Sequence, residues 1–429
     1  MRPEIWLTLA SVGGSFLVYL PFLRDMRTVY RFWDGPNYLT VARTLYAVAP
    51  DNPLLAYVYT PAYFLTHLPL YPLCVRLAAL VTGYEPALLV VSVLASVAAV
   101  LLFYRLARDV WKLPSPEFLA LVMLFLPPRF LLYRSTGATE SLALALTLAS
   151  LLAFETSRTG RAAAYGALAA VTRISGVMLA PAYAVVLWRR GSSRARALDI
   201  AWLALIPAGL FGYFLFCAVR FGDFFAYLRP HGEKLTRFVP FGFLPVLFQK
   251  GLYHQVEFHI LLAVVYAVGA FRLRERFPVL FWYCVFELAL LLCVSTEDWS
   301  RYFLAMAPFA LIVGFHDVID TRFFRWALPV FAGLSVYYAW GVIPVHINEL
   351  APDSVRGFLP GFAYQCGVAV AGTVAYIEAV FADRMPYSRA MAFTAFTVFS
   401  LGAIAAWLGR ERHGVEFGED VAVQPAVTT

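Results

Sequence analysis

From Ile5 to Leu408 the chain is a succession of apolar runs. Most are long enough, or nearly so, to cross a bilayer as helix, which takes about 20 residues. Charge falls in short clusters between the runs. No soluble fold accommodates this pattern, because 61% of the 429 residues are hydrophobic. Soluble domains average about 45–50%, and one chain of this length cannot hide the excess in its own core. The charged fraction, 14%, is likewise well under the roughly 25% of soluble proteins. The expectation is an all-α polytopic membrane protein, with residues 1–429 forming a single integral membrane domain.

Spans are predicted at Ile5–Leu23, Pro86–Tyr104, Phe118–Tyr133, Thr139–Phe154, Leu198–Val219, Val256–Phe271, Pro278–Val294, Tyr302–Phe315, Trp326–Ile343, Phe362–Phe381 and Ala390–Leu408. The stretch Ala162–Trp188 is too long for one ordinary span and carries Arg173 at its centre. An arginine at mid-membrane is expensive, so two short helices meeting at Arg173 are expected. Pro61, Pro69 and Pro72 argue against a straight span over Ala56–Tyr84, which reads as interfacial or re-entrant. The first apolar run reads as a retained signal-anchor span, and the polar tail 410–429 as disordered.

Orientation follows the basic clusters, which stay on the cytoplasmic side. Arg105, Arg108 and Lys112 form one, Arg158 and Arg161 another, Arg189, Arg190, Arg194 and Arg196 a third, and Arg272, Arg274 and Arg276 a fourth. With all four inside, the loop 24–84, the turn Arg134–Ala138, the loop 221–252 and the turn Ser295–Arg301 fall outside. Loops as long as 24–84 and 221–252 are usually functional, so any active face is expected to be extracytoplasmic.

The net charge of +7 gives no nucleic-acid signature, since the arginines sit at span ends rather than on one patch. They read as topology signals and contacts to membrane lipids. The five cysteines form no CxxC pair and no zinc spacing. No GxxxxGK[ST] loop is present, which disfavours nucleotide hydrolysis. No Asp-x-Asp stands in the first loop to hold a metal for a nucleotide sugar. No cofactor is implied, although a carboxylate-bound divalent metal is compatible with the residues.

Several polar constellations remain. Phe32-Trp33-Asp34-Gly35-Pro36-Asn37-Tyr38 follows the first span: Asp34 can take a proton from a sugar hydroxyl while Trp33 stacks on a ring, or the pair is a belt tryptophan beside a turn-starting aspartate. Tyr63 to Arg76 includes His67, Pro69, Tyr71 and Pro72, and a lone histidine among aromatics is more often structural than a ligand. Tyr133-Arg134-Ser135-Thr136-Gly137-Ala138-Thr139-Glu140-Ser141, Thr172-Arg173-Ile174-Ser175-Gly176 and Ser300-Arg301-Tyr302 follow, with Pro308 after them. Glu140 either favours its helix dipole or orients acceptor or arginine. Arg173 either pairs internally with Glu140 or acts on substrate, and Arg301 is either an interfacial anchor or functional. His231 and Glu233 in the second loop, and the intramembrane Glu287 and Glu378, are weaker candidates.

Taken in order, these motifs resemble the multispan glycosyltransferases of the GT-C class, most of all the glycosylphosphatidylinositol mannosyltransferase II (PIG-V-like) family. The resemblance covers about residues 30–310. His67 departs from the family's aromatic or small residue, and Ile174 from its usual proline. The Tyr-Thr-Glu element is stretched over Tyr133–Glu140.

The resemblance implies a GT-C type helical bundle of about 11–13 transmembrane helices with external re-entrant or interfacial loops. It implies transfer of a hexose, mannose by preference, from a polyprenyl- or dolichyl-phosphate donor to a hydroxyl of a lipid, glycan or protein acceptor. Inverting transfer needs one carboxylate as general base, and Asp34 is that residue. Arg173, Arg301 and Arg134 would hold the donor phosphate, with Trp33, Glu140, His67 and Tyr302 binding substrate. The rival from another class is a secondary transporter or lipid flippase working through intramembrane carboxylates, which predicts broken helices in both halves of the chain.

Overall fold

The computed structural model describes residues 2–339 apart from 50, 53, 56–59, 192–193, 230–238, 250, 252–253 and 296–298, together with 374–382 and 385–408. His231, Glu233, the tail 410–429 and the greater part of Phe362–Phe381 lie outside the described residues. Among those described, every regular element is helical.

The chain divides into two compact units, residues 1–339 and 340–429. The first begins with α1 (Pro3–Tyr19), whose leading proline loses nothing because a first-turn N–H has no helical partner. It continues through α2 (Gly35–Thr44), α3 (Leu70–Thr82) and α4 (Tyr84–Arg105). Next come α5 (Pro116–Phe125), α6 (Pro128–Arg134), α7 (Glu140–Glu155), α8 (Thr159–Ala170) and α9 (Leu179–Arg189). It ends with α10 (Arg194–Leu203), α11 (Leu205–Phe221), α12 (His254–Arg272), α13 (Pro278–Leu292), the one-turn α14 (Trp299–Tyr302) and α15 (Arg322–Ala339). The second unit contains α16 (Val374–Ala382) and α17 (Tyr387–Leu408), joined by a hydrogen bond from Thr394 to Glu378.

Among the described residues, Pro3–Phe22, Tyr84–Val110, Ala197–Phe221 and Gln255–Arg272 are long and apolar enough to cross a membrane. The pair α5 and α6 adds a fifth if its halves form one span, and Leu70–Thr82, Ile174–Arg189 and Pro278–Leu292 are shorter apolar helices. The outer surface stays apolar, with Val81 90% and Val219 81% exposed, which suits lipid and not water. The protein is an integral, multi-pass membrane protein.

Two expected spans take another form. Phe118–Tyr133 is bent by 75° between α5 and α6, because the pair Pro127-Pro128 removes donors and clashes with the preceding turn. Tyr302–Phe315 is no regular span: a 3₁₀ turn at Phe303–Ala305 is followed by a short π-helix at Pro308–Val313. Phe303, Met306, Phe309 and Ile312 in it are buried by the bundle, so it is not held to bilayer length.

The stretch Ala162–Trp188 breaks at Arg173. Helix α8 ends at Ala170, Arg173 is extended at φ −146°, and a 3₁₀ turn, Ile174–Met178, leads into α9. Small residues make the fold-back close. Ala162, Ala163 and Ala169 of α8 are buried, and Ser150 of α7 donates to the Ala162 carbonyl at 2.7 Å, the close approach that small residues permit between membrane helices. At Gly176 a Cβ would stand 2.4 Å from the Ala169 carbonyl carbon and the Ala170 nitrogen. Backbone cannot yield as a side chain does, so Gly176→Ala is expected to cost about 1–3 kcal/mol, read as a lower thermal midpoint in detergent.

Candidate active site

Asp34 owes its position to local backbone. Trp33 is left-handed at φ 51°, and Pro36 starts α2 immediately after Asp34. Gly35 lies so close to the Tyr30 carbonyl oxygen that a Cβ would approach it to 2.5 Å, and a Cβ on Gly137 would lie 3.0 Å from the Gly35 Cα. The two glycines bring the start of α2 onto the turn that precedes α7. Asp34 is thereby set near Glu140, the first residue of α7.

Four charges then meet. Arg301 Nη1 donates to Asp34 Oδ2 at 2.8 Å, and its Nε to Glu140 Oε1 at 2.5 Å. Arg173 Nη1 donates to the same Glu140 oxygen at 3.0 Å and to Thr139 Oγ1 at 3.1 Å. Two carboxylates and two guanidiniums cancel formally, which is how ions persist in a medium of low dielectric. Side-chain exposure falls from 22% at Asp34 to 3% at Glu140. Asp34 is therefore the accessible end of the cluster, and Glu140 its buried pivot.

Aromatic rings frame the charges. Arg301 lies 4.4 Å from the Tyr133 ring centroid and Arg173 5.4 Å from that of Tyr302, within cation–π range. Arg301 is carried by α14, which Trp299 anchors. That indole is fully buried, stacks on Phe243 at 3.9 Å and donates to the Leu291 carbonyl at 2.7 Å. Tyr38 stands edge-on to His67 at 5.0 Å. The His67 carbonyl accepts from the Tyr46 hydroxyl at 2.7 Å, and its Nδ1 lies 3.3 Å from Thr66 Oγ1. Burial pushes the His67 pKa below the ordinary histidine value, against the opposing pull of Asp34, so the ring is neutral at physiological pH.

The structure thus brings Asp34, Glu140, Arg173, Arg301 and Tyr302 together, with His67 in the aromatic wall behind Asp34. The internal Glu140–Arg173 ion pair is present. Trp33 is next to Asp34 in sequence but 53% exposed, its ring 6.4 Å from Phe32. Arg134 does not join the cluster. It is fully buried between α1 and α4, where Nη1 donates to the Ser11 carbonyl at 2.8 Å and to Ser15 Oγ at 3.1 Å. Its Nε reaches the Leu124 carbonyl at 3.3 Å. Successive residues of a helix point about 100° apart, since one turn takes 3.6 residues, so Tyr133 meets Arg301 while Arg134 faces away.

Tyr133, Tyr38 and Tyr63 stand within the sequence motifs without a role of their own, and Tyr227 lies outside them. Tyr63 lies edge-on to His67 at 5.3 Å; burial and then Asp34 raise its pKa, and burial and then Tyr302 raise that of Tyr227. Reading the sequence missed Arg129. It stands one turn before Tyr133, 5.9 Å from that ring, and hydrogen-bonds Ser300 beside Arg301. Among the described residues no three His, Cys, Asp or Glu side chains are grouped to hold a metal ion.

An all-helical membrane bundle with a buried ion cluster at helix breaks is the class these features define. The apo structure of ArnT from Cupriavidus metallidurans aligns with 90% of this chain and 72% of its own, with a TM-score of 0.51 and 16% identity. The chain therefore has the GT-C type fold. ArnT bound to undecaprenyl phosphate aligns with a TM-score of 0.46 and 15% identity, over 94% of this chain and 73% of its own. The archaeal oligosaccharyltransferase AglB from Archaeoglobus fulgidus, in complex with an inhibitory peptide and a dolichol-phosphate, aligns at 0.40 and 14%, over 83% of this chain and 55% of its own. A carboxylic acid transporter protein homolog of Saccharomyces cerevisiae is 30% identical over 98 residues. That match spans 19% of this chain and only 16% of the transporter homolog. No family model matches.

Proposed function

We propose that the protein is a glycosyltransferase that moves a hexose, mannose by preference, from a polyprenyl- or dolichyl-phosphate carrier to an acceptor hydroxyl, at the extracytoplasmic membrane face and with inversion. The observation that carries this reading is the Asp34–Arg301–Glu140–Arg173 cluster, which joins a base to two phosphate-binding cations. In the reaction the acceptor oxygen attacks the anomeric carbon and gives its proton to Asp34. The bond from anomeric carbon to phosphate oxygen breaks, and the lipid phosphate leaves with one more negative charge. Arg301 and Arg173 meet that charge, the kind of stabilisation that matters most where charge develops. A guanidinium has five N–H donors, so Arg301 can take phosphate oxygens while keeping Glu140. Glu140 holds both arginines in place. Arg134 is left with a structural role, bracing α1 against α6.

The reading is tested with purified protein and a radiolabelled polyprenyl-phosphate hexose, mannose first, presented with total membrane glycolipid. Label is expected to pass to the glycolipid. Transport is the second reading, favoured by the 98-residue match and by Glu287, whose buried Oε2 has no hydrogen-bond partner. Movement of labelled lipid between leaflets of a proteoliposome, with no sugar transferred, would favour transport and sink the transferase reading.

A further inference from the structure

Against the turn Pro61–Thr66 lies a cavity of about 380 Å³, lined among others by Tyr46, Ala62, Leu65, Phe221, Asp223 and Arg229. Its volume falls within the ~300–1,000 Å³ of small-molecule sites. Two of its walls also touch His67. The turn Pro61–Thr66 gives Ala62 and Leu65 to the cavity, while its Tyr63 ring lies edge-on to His67 at 5.3 Å. The turn Ala226–Leu228 gives Ala226 to the cavity, while its Tyr227 ring packs on Phe214 at 5.9 Å. Tyr46 lines the cavity and holds the His67 carbonyl with its hydroxyl. The turn Pro61–Thr66 and Tyr46 thus link the cavity to His67, in the aromatic wall of the proposed site.

We infer that this cavity is the acceptor's docking site and takes a pyranose-bearing head, an inference that rests on the glycosyltransferase reading. Asp223 Oδ2 and Arg229 Nε lie 3.3 Å apart, with side chains 35% and 36% exposed. The pair offers donors and acceptors together, as sugar hydroxyls require. It is formally neutral, unlike a phosphate site, which needs net positive charge. An isoprenoid tail would desolvate both ions with nothing in return. The Tyr46 and Phe221 rings supply flat faces for the C–H side of a pyranose. A head held here stays clear of Arg301 and Arg173, which do not line the cavity and are left to the donor phosphate.

Saturation-transfer NMR on the detergent-purified protein, with the methyl α-glycosides of mannose, glucose and galactose, reads this site without needing catalysis. At least one glycoside is expected to bind the wild type and Asp34→Asn alike. Ala62→Trp fills the cavity and should abolish the signal while polyprenyl-phosphate binding is unchanged. Asp223→Asn with Arg229→Gln removes two partly exposed charges and should weaken binding about tenfold, a loss of about 1.4 kcal/mol; it decides the matter should Ala62→Trp fail to fold. Glycoside binding unaltered in the variants, no glycoside bound by the wild type, or a loss of polyprenyl-phosphate affinity in place of glycoside affinity would each overturn the inference. Failure of the glycosyltransferase reading shows elsewhere, as absence of label transfer from the lipid donor.

Discussion

Asp34→Asn is expected to lower sugar transfer by about 10²–10⁴-fold, the usual contribution of a positioned general base, with the fold intact. The amide keeps the size of the carboxylate and still offers an oxygen to Arg301, but it cannot take the acceptor's proton. Asp34 is the most exposed member of its cluster, at 22% against 8% for the Arg301 side chain. Its neutralisation should therefore lower the thermal midpoint less than that of Glu140 does, and by removing an anion that competes for Arg301 should not weaken donor binding. Comparing initial rates at saturating donor, with parallel melting curves, separates chemistry from folding. Transfer within twofold of the wild type would remove Asp34 from the chemistry and direct the search for a base to Glu140.

The resting ion pair between Asp34 and Arg301 bears on this experiment. While Arg301 Nη1 holds Asp34 Oδ2 at 2.8 Å, that oxygen is engaged and less free to receive an acceptor proton. A lipid phosphate brings a second anion to Arg301 and competes for its donors. Donor binding would thus loosen Asp34 just when an acceptor proton has to be taken. The same step would limit the exposure of an activated base to water before both substrates are in place.

Hydrophobic runs in the sequence located most of the helices, because the rule that spans are apolar and loops charged follows from the bilayer itself. The break at Arg173 was legible too, since a charge at that depth demands a departure from straight helix. Legibility failed where tertiary packing decides. Residues 303–313 read as a span from their composition, yet they are buried by neighbours and wound as short turns. The site showed the same division. Asp34, Glu140, Arg173 and Arg301 stood out because charge is rare in this chain, but the Asp34–Arg301 bond joins residues 267 apart and no local pattern announces it. Tyr133 and Arg134 share one motif, and α6 is too short, at seven residues, for periodicity to say which of them faces inward. With 24 tyrosines in the chain, nothing in the sequence marked Tyr38, Tyr63 or Tyr227 as neighbours of the cluster.

Glu140→Gln should act on stability as Asp34→Asn acts on rate. The Glu140 carboxylate is 3% exposed and receives Arg173 at 3.0 Å and Arg301 at 2.5 Å. Removing its charge leaves two guanidiniums close together with Asp34 alone to balance them. Breaking a buried ion pair from one side costs roughly 3–5 kcal/mol, because the remaining charge stays desolvated. Such a loss is a drop of at least several degrees in the thermal midpoint, measured in detergent by the melting of intrinsic fluorescence. Adding Arg173→Gln to Glu140→Gln deletes one of the stranded cations. The double variant is expected to melt above Glu140→Gln alone, a non-additivity that only coupled residues show. A Glu140→Gln midpoint equal to the wild type would mean that the two arginines are held by other groups. It would also free Glu140 to be read as a residue that touches substrate instead of one that positions the cations that do.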